Sequence, residues 1–165
     1  VAAAWKKIIQ GRKASGILLS RQNLPVFDRS EFGSLDGVSK GAYILKEAST
    51  TPQLILMATG SEVALAVESA RILEESGVAT RVVSVPCFEW FNEQTQTYKD
   101  QVLPPSIKAR VSIEAGIAQG WRELIGDSGV AISLEHYGAS ADAKTLFKQF
   151  GFSVENVVAT VKKAI

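Results

Sequence analysis

Four places in this chain carry groups of a kind that could do chemistry. Thr59-Gly60-Ser61-Glu62 follows the apolar run Leu54–Ala58 and opens a stretch with helical spacing. The free backbone N–H groups and positive end of a helix make such a turn a candidate anion site, and in open parallel sheets ligands gather at the carboxyl ends of strands. The same residues fit a Thr-x-x-Glu capping box, which would satisfy those donors internally. A single glycine stands where a dinucleotide fingerprint has three, and Glu62 would repel a phosphate. Capping is therefore preferred to ligand binding at this turn. The second place is Ser20-Arg21-Gln22, after the strand-length apolar run Gly16-Ile17-Leu18-Leu19. A guanidinium at a strand exit can grip a phosphate through two parallel hydrogen bonds. On spacing alone, Arg21 reads as an ordinary surface arginine.

The third place is His136, the one histidine, between Glu135 and Tyr137. An imidazole there could act as a general base. No nucleophile or metal ligand accompanies it in sequence, so a structural or exposed histidine is preferred. The fourth is Cys87, the one cysteine, between Pro86 and Phe88. It has no activating base nearby in sequence and reads as a buried, inert thiol. One cysteine excludes a disulfide within the chain and a cysteine-based zinc site. One histidine excludes a multi-histidine metal site and leaves a Ser-His-Asp triad to that residue alone.

The elements that would position these groups follow from periodicity and chain breakers. Ala2–Gln10 predicts a short helix with Trp5, Ile8 and Ile9 on its apolar side and Gly11 ending it. Gly16–Leu19 predicts a buried strand, and Pro25 rules out further central pairing. Asp28–Lys40, with Gly33 and Gly37 and no periodicity, is a candidate linker. Ala42–Leu45 is a weak strand. Leu54–Ala58 is a continuous apolar strand of the kind covered on both faces. Glu62–Ser76 carries Val63, Ala66, Val67, Ala70 and Leu73 at helical spacing, and Gly77 closes it. Arg81–Val85 is the next strand, stopped by Pro86. Phe88–Gln101 reads as helical pieces. Phe88, Trp90 and Phe91, interleaved with Glu89, Asn92 and Glu93, suggest a half-buried helix lying partly at an interface. Arg110–Glu114 and Val130–Leu134 are further strands, with a short helix over Trp121–Ile125 between them.

Two helices finish the chain. Ser140 caps the first, whose buried face is Ala143, Leu146, Phe147 and Phe150. Gly151 ends it left-handed, and Phe152 packs back on Phe147. The second runs from Ser153 with Val154, Val158, Val161 and Ile165 on one face. Its Glu155 and Lys162-Lys163 match the helix dipole. Strand–helix alternation at this spacing predicts an α/β fold: a three-layer sandwich around a mostly parallel five-stranded sheet.

Composition narrows the function classes. The chain has 165 residues, 46% of them hydrophobic and 21% charged, which is globular rather than disordered. No apolar run approaches the ~20 residues that cross a bilayer, so no membrane partner is expected. Net charge is +1. It is unevenly spread, with +5 over residues 1–29 and −4 over residues 30–165. The basic side chains are dispersed and lack interleaved aromatics, so nucleic-acid binding is not expected. A lone cysteine suits a reducing, cytoplasmic setting. Val1-Ala2-Ala3-Ala4-Trp5 has neither Met nor a secretory pattern, and it reads as the interior of a longer chain.

In order along the chain, these motifs resemble the transketolase family. Ile17-Leu18-Leu19-Ser20-Arg21-Gln22-Asn23-Leu24-Pro25 is similar to the closing strand and loop of its pyrimidine-binding domain. Ala58-Thr59-Gly60-Ser61-Glu62-Val63, Ser84-Val85-Pro86 with Phe88 and Phe91, Ser112-Ile113-Glu114-Ala115-Gly116 with Gly120-Trp121, Tyr137-Gly138-Ala139-Ser140 and Phe150-Gly151-Phe152 are similar to its third domain. Tyr137-Gly138-Ala139-Ser140 departs from the Phe-Gly-Ala-Ser pattern of many relatives, so no role passes to His136.

The resemblance implies residues 1–29 as the end of the pyrimidine-binding domain with a linker, and residues 30–165 as the C-terminal domain. It implies a parent enzyme that transfers a two-carbon ketol unit from ketose phosphates to aldose phosphates in the pentose phosphate pathway. That enzyme uses thiamine diphosphate and Mg2+, works as a cytoplasmic homodimer and keeps its cofactors at the subunit interface. Arg21 takes the place of the arginine that contacts the sugar phosphate, which reverses the reading from spacing. The chain lacks the family's metal–diphosphate motif, its catalytic histidines and its pyrimidine pocket. No catalytic, cofactor-binding or metal residue is therefore assigned, no cofactor is expected on this stretch, and it is expected to be inactive alone, with a structural role in the dimer. The other readings are a stand-alone anion- or nucleotide-binding regulatory module, or the C-terminal domain of a 2-oxoacid dehydrogenase or deoxyxylulose-phosphate synthase.

Overall fold

The protein is described by a computed structural model that covers residues 1–164. The expected place of Ile165 on the last helix lies outside the described residues. The elements are α1 (Ala2–Gly11), a 3-10 helix (Leu35–Lys40), β1 (Tyr43–Lys46), β2 (Leu54–Ala58), α2 (Glu62–Glu75), β3 (Thr80–Ser84), α3 (Phe88–Asn92) and α4 (Gln96–Val102). They continue with β4 (Arg110–Ile113), a 3-10 turn (Ala118–Trp121), α5 (Arg122–Ile125), β5 (Val130–Ile132), α6 (Ala143–Gln149) and α7 (Val154–Ala164).

The strands form one five-stranded sheet in the order β1-β3-β2-β4-β5. All neighbours are parallel except β1, which runs antiparallel to β3 at the edge. The expected mostly parallel α/β sandwich is what the chain forms. Central β2 shows why its sequence is apolar throughout. Leu54, Leu56 and Ala58 face one core with Val63, Ala66, Ala70 and Leu73 of α2 and Val157 and Val161 of α7. Ile55 and Met57 face the opposite core with Phe91, Val102, Trp121, Leu124 and Ile125. A strand with both faces covered loses the alternation that marks a half-exposed one.

Several expectations fail, each for a physical reason. Gly16–Leu19 forms no strand: Leu18 is 96% and Leu19 64% exposed. Neither edge strand of the sheet, β1 or β5, pairs with this run. Helix α1 buries none of its residues, and Trp5 and Ile9 of its apolar side are exposed. Its left-handed cap is Arg12, at φ 50°, rather than Gly11. The candidate linker over Asp28–Lys40 is folded in. Gly33 N–H donates to the Leu45 carbonyl at 2.7 Å, and Phe32 and Val38 pack on the core. Helix α6 is capped by Asp142, whose carboxylate accepts from the Thr145 N–H at 3.0 Å, and not by Ser140. Its apolar face is half-buried rather than buried. On α7, Val157 and Val161 are fully buried, while Val154 and Val158 lie at the margin.

The ending of α6 forms as expected. Gly151 has φ 80°, the Phe152 N–H donates to the Phe147 carbonyl at 2.8 Å, and the two rings lie 5.6 Å apart. Those are the bonds and the apolar contact of a Schellman ending.

Candidate functional site

The carboxyl ends of β2 and β4 are the point where chain order along the sheet changes direction, the place where open α/β sheets hold ligands. Three loops meet there. After β2, Gly60 takes φ 54°, and the Glu62 N–H donates to the Thr59 carbonyl at 3.2 Å. No side chain caps α2, so the expected capping box does not form. Ser61 already has helical backbone angles, and the Thr59 main-chain carbonyl takes the bond expected of its hydroxyl. The Glu62 carboxyl instead accepts from its neighbour, the Ser61 hydroxyl, at 2.9 Å. Glu62 is 4% exposed. Burial pushes its carboxyl above the ordinary glutamate range; the Ser61 bond offsets part of the rise and the charge of Glu114 adds to it.

After β4, the Glu114 carboxylate accepts from the buried Trp121 indole N–H. Glu114 curls over Gly116, where an added Cβ would lie 3.4 Å from the carboxyl carbon. After β5, the Leu134 N–H donates to the Gly116 carbonyl at 2.8 Å, and the Glu135 carboxylate accepts from the Ala118 N–H at 2.8 Å. That bond holds Glu135 below the usual carboxylate range. The β4 and β5 exits are thereby tied together.

Arg21 is brought to this neighbourhood although it lies about forty residues before the turn. A Cβ on Gly60 would sit 3.9 Å from Ser20 Oγ. From there residues 22–27 cross the start of α2. They wall a cleft of about 450 Å3 over Gly60, Ser61 and Val63, and a second of about 420 Å3 facing Lys144 and Lys148 of α6. Arg21 is exposed, and none of the ion pairs among the described residues involves it.

The other candidates stand apart from each other and from this place. His136 is exposed; its ring meets Phe150 edge-on at 5.1 Å, and Nδ1 lies 2.7 Å from the Tyr137 carbonyl. Cys87 is half-buried and its thiol donates to Glu89 Oε2 at 3.3 Å. Burial raises the thiol above its ordinary range and the Glu89 carboxylate adds to that, the reverse of activation. Phe91 is buried, Trp90 half-buried, and Phe88 stands edge-on to Trp121 at 4.9 Å.

These residues do not fit thiamine diphosphate and a divalent metal. Among the described residues, no three His, Cys, Asp or Glu side chains converge, and the sheet exit presents Glu62 and Glu114, which oppose a diphosphate. Sequence reasoning missed the charged groups that fix the loops. Arg81 lies inside β3, 8% exposed, and donates through Nε and Nη2 to both Glu47 oxygens at 2.8 and 2.9 Å. Through Nη1 it also donates to the carbonyls of Gln101 and Val102. Arg110 donates to the carbonyls of Leu103, Pro104, Ile107 and Leu124. A charged residue opening an apolar strand was the available signal for both.

Comparison with known proteins adds the following. The model of the transketolase-like TK C-terminal domain matches residues 41–153. The chain is 46% identical to a transketolase from Mycobacterium tuberculosis over 99% of its own length and 24% of that protein's. A transketolase from Pichia stipitis, solved in complex with sedoheptulose-7-phosphate, is 36% identical with a TM-score of 0.78, over 87% of this chain and 20% of that one. A transketolase from Leishmania mexicana is 39% identical with a TM-score of 0.73, over 80% of this chain and 19% of that one. The chain thus spans about a quarter of the length of the curated relatives it matches. Among the described residues no helix is long and apolar enough to cross a membrane.

Proposed function

The chain belongs to the transketolase family, by its match to the family's C-terminal domain, and from that membership we propose that it is the closing part of a ketol transferase. The enzyme moves a two-carbon ketol unit from ketose phosphates to aldose phosphates, a reaction of the pentose phosphate pathway. Thiamine diphosphate and Mg2+ are held by the remainder of the enzyme, outside these residues. Residues 1–29 are the end of the preceding pyrimidine-binding domain, and residues 30–165 are the C-terminal domain. The enzyme is a cytoplasmic homodimer in which this domain has a structural role. The observation that carries the reading is 46% identity to a transketolase over 99% of the chain.

Within that reading Arg21 binds the sugar phosphate. An exposed guanidinium free of protein ion pairs is available to a dianion, and its planar fork suits two parallel bonds. The test is Arg21→Gln in the chain joined to the rest of its enzyme. Loss of a charge-assisted contact of about 1.5–3 kcal/mol predicts KM for a ketose phosphate raised about tenfold or more. The kcat should stay nearly constant, and an unphosphorylated ketose should be used as before. Equal effects on both donors would remove Arg21 from this role. The reading as a stand-alone anion-binding module is disfavoured by the two carboxyls at the sheet exit.

A further inference from the structure

Arg21 is assigned to the sugar phosphate above, yet none of the ion pairs among the described residues holds its guanidinium in place. Its aim is therefore inherited from the main chain that carries it. Residues 20–27 form neither helix nor strand, and among the described residues no main-chain hydrogen bond fixes them. Their course is set at two points. At one, Ser20 Oγ lies 3.9 Å from the place a Cβ on Gly60 would take, so Ser20 rests beside the turn after β2. At the other, half-buried Phe27 packs on the core shared by β2 and α2, with its ring 4.8 Å from that of Phe32.

Between these points the strap is thinly supported. Leu24 and Pro25, with Ser61 and Ala64 of the α2 start, line both clefts, so the strap bridges α2 with a hollow of about 450 Å3 beside it and another of about 420 Å3. The charged side chains that line the two hollows are Arg29, Lys144 and Lys148, and no carboxylate lines either. Arg29 is occupied, donating to the Gly33 carbonyl at 2.9 Å just beyond Phe27. Glu62, at the first residue of α2, is 4% exposed and accepts from Ser61. The anchor that remains for Arg21 is Phe27, six positions along the chain, a reach of roughly 20 Å when extended. Pro25 stiffens that reach by fixing its own φ.

We propose that Phe27 is a positioning residue for the sugar-phosphate contact: by plugging the strap into the core of the C-terminal domain, it fixes where the Arg21 guanidinium is presented. The inference rests on the reading of Arg21 given above and adds a part for the domain in recognising phosphorylated donors. Phe27 itself touches no substrate. Without its ring the strap is free to settle into the hollows on either side. A phosphate must then order the main chain as well as the arginine, which weakens binding. The transfer step is unaffected, because the lost interaction is the same in the bound substrate and in the transition state. The effect therefore falls on KM and not on kcat.

The experiment is a double-mutant cycle of Phe27→Ala and Arg21→Gln in the chain joined to the rest of its enzyme, read as KM and kcat for a ketose phosphate and for an unphosphorylated ketose. The expected result is that Phe27→Ala raises KM for the ketose phosphate about two- to tenfold. It leaves kcat and both constants for the unphosphorylated donor as in the wild type, and it adds nothing once Arg21→Gln is present. Phe27→Leu, which keeps an apolar plug, restores most of the affinity. Pro25→Gly, which loosens the strap without taking a side chain from the core, gives a rise of the same selectivity. A KM for the ketose phosphate that Phe27→Ala leaves unchanged, raises equally for both donors, or raises further on top of Arg21→Gln overturns the positioning role. Arg21→Gln that remains selective for the phosphorylated donor confines that failure to Phe27, whereas Arg21→Gln without selectivity removes the phosphate reading and this proposal together. Should Phe27→Ala not fold, Pro25→Gly decides by the same constants, and wild-type KM values in it refute the proposal.

Discussion

Arg81 and Glu74 show how single side chains hold the sheet to its loops. The Arg81 guanidinium satisfies both oxygens of Glu47 and two carbonyls at the end of α4, with its side chain 9% and that of Glu47 51% exposed. Breaking a buried pair costs about 3–5 kcal/mol. With Glu47 half in water, Arg81→Ala should cost about 3 kcal/mol and Glu47→Gln about 1 kcal/mol, read by urea unfolding. Equal losses would mean that the carbonyl bonds contribute nothing. Glu74 accepts from the N–H and hydroxyl of Ser49 and from the Thr80 N–H at 2.6 Å. Burial raises its carboxyl, but those donors outweigh burial and hold it below its usual range. A folded value below the unfolded one gives stability that is complete above about pH 4.3 and lost as pH falls through the folded value. Glu74→Gln should therefore cost about 1–2 kcal/mol near neutral pH. It should also flatten the acid limb of the stability curve, measured by urea unfolding across that range. An acid limb as steep as the wild type's would place the dependence on other carboxylates. Glu62 has the opposite sign: its raised carboxyl favours the folded state at low pH, and that contribution fades as pH rises above the unfolded value.

At the scale of elements, two glycines with the same backbone sign make unlike demands. Gly41 (φ 84°) hands the first 3-10 helix to β1, and a Cβ there would fall 2.2 Å from the Phe91 nitrogen and 2.3 Å from the Cys87 carbonyl. Gly77 (φ 87°) ends α2 and has nothing within 4 Å. Left-handed strain alone costs about 1–2 kcal/mol. Gly77→Ala should show that loss and no more, whereas Gly41→Ala should separate β1 from α3 or prevent folding, as thermal melts of the two variants would report. Similar melts would mean that the β1–α3 junction yields easily. Such junctions explain what was legible in the sequence. The helical spacing of Val63, Ala66, Ala70 and Leu73 and the apolar run of β2 record burial directly, so the layers could be read. The antiparallel run of β1, the absent Thr59 cap and the choice of Asp142 over Ser140 depend on which of several local donors and partners prevails in three dimensions. Periodicity carries no record of that competition. Asp28–Lys40 looked like a linker because Gly33 and Gly37 hide a packing role: a Cβ there would press on the Ile44 carbonyl and the Tyr43 ring.

At the scale of the whole molecule, the chain divides into a well-packed sandwich and an amino-terminal stretch held mostly by its surface. Gly16–Leu19 has the composition of a buried strand yet lies exposed. Arg21 could be read as a candidate phosphate ligand only by likeness to relatives, because its own spacing does not set it apart from an ordinary surface arginine. The polar contacts of residues 1–13 are of the kind that contribute little: Lys7 of α1 stands 5.9 Å over the Trp90 ring, and the Lys13–Glu93 pair is 80% and 54% exposed. Phe27 differs, packing on the core and lying 4.8 Å from Phe32. Deleting residues 1–26 should therefore lower stability by less than about 1 kcal/mol, a fall in Tm of less than about 4 °C for a domain of this size. Because Trp5, Ile9, Leu18, Leu19 and Val26 are exposed, the same deletion should reduce binding of a hydrophobic dye. Phe27→Ala in the shortened chain, which removes a half-buried aromatic from the core margin, should cost about 2 kcal/mol more. Calorimetry and dye fluorescence on the three proteins test the division. A shortened chain that lost its cooperative transition would make the amino-terminal stretch part of the folding unit, whereas an unchanged transition with less dye bound would identify residues 1–26 as surface that belongs against another body.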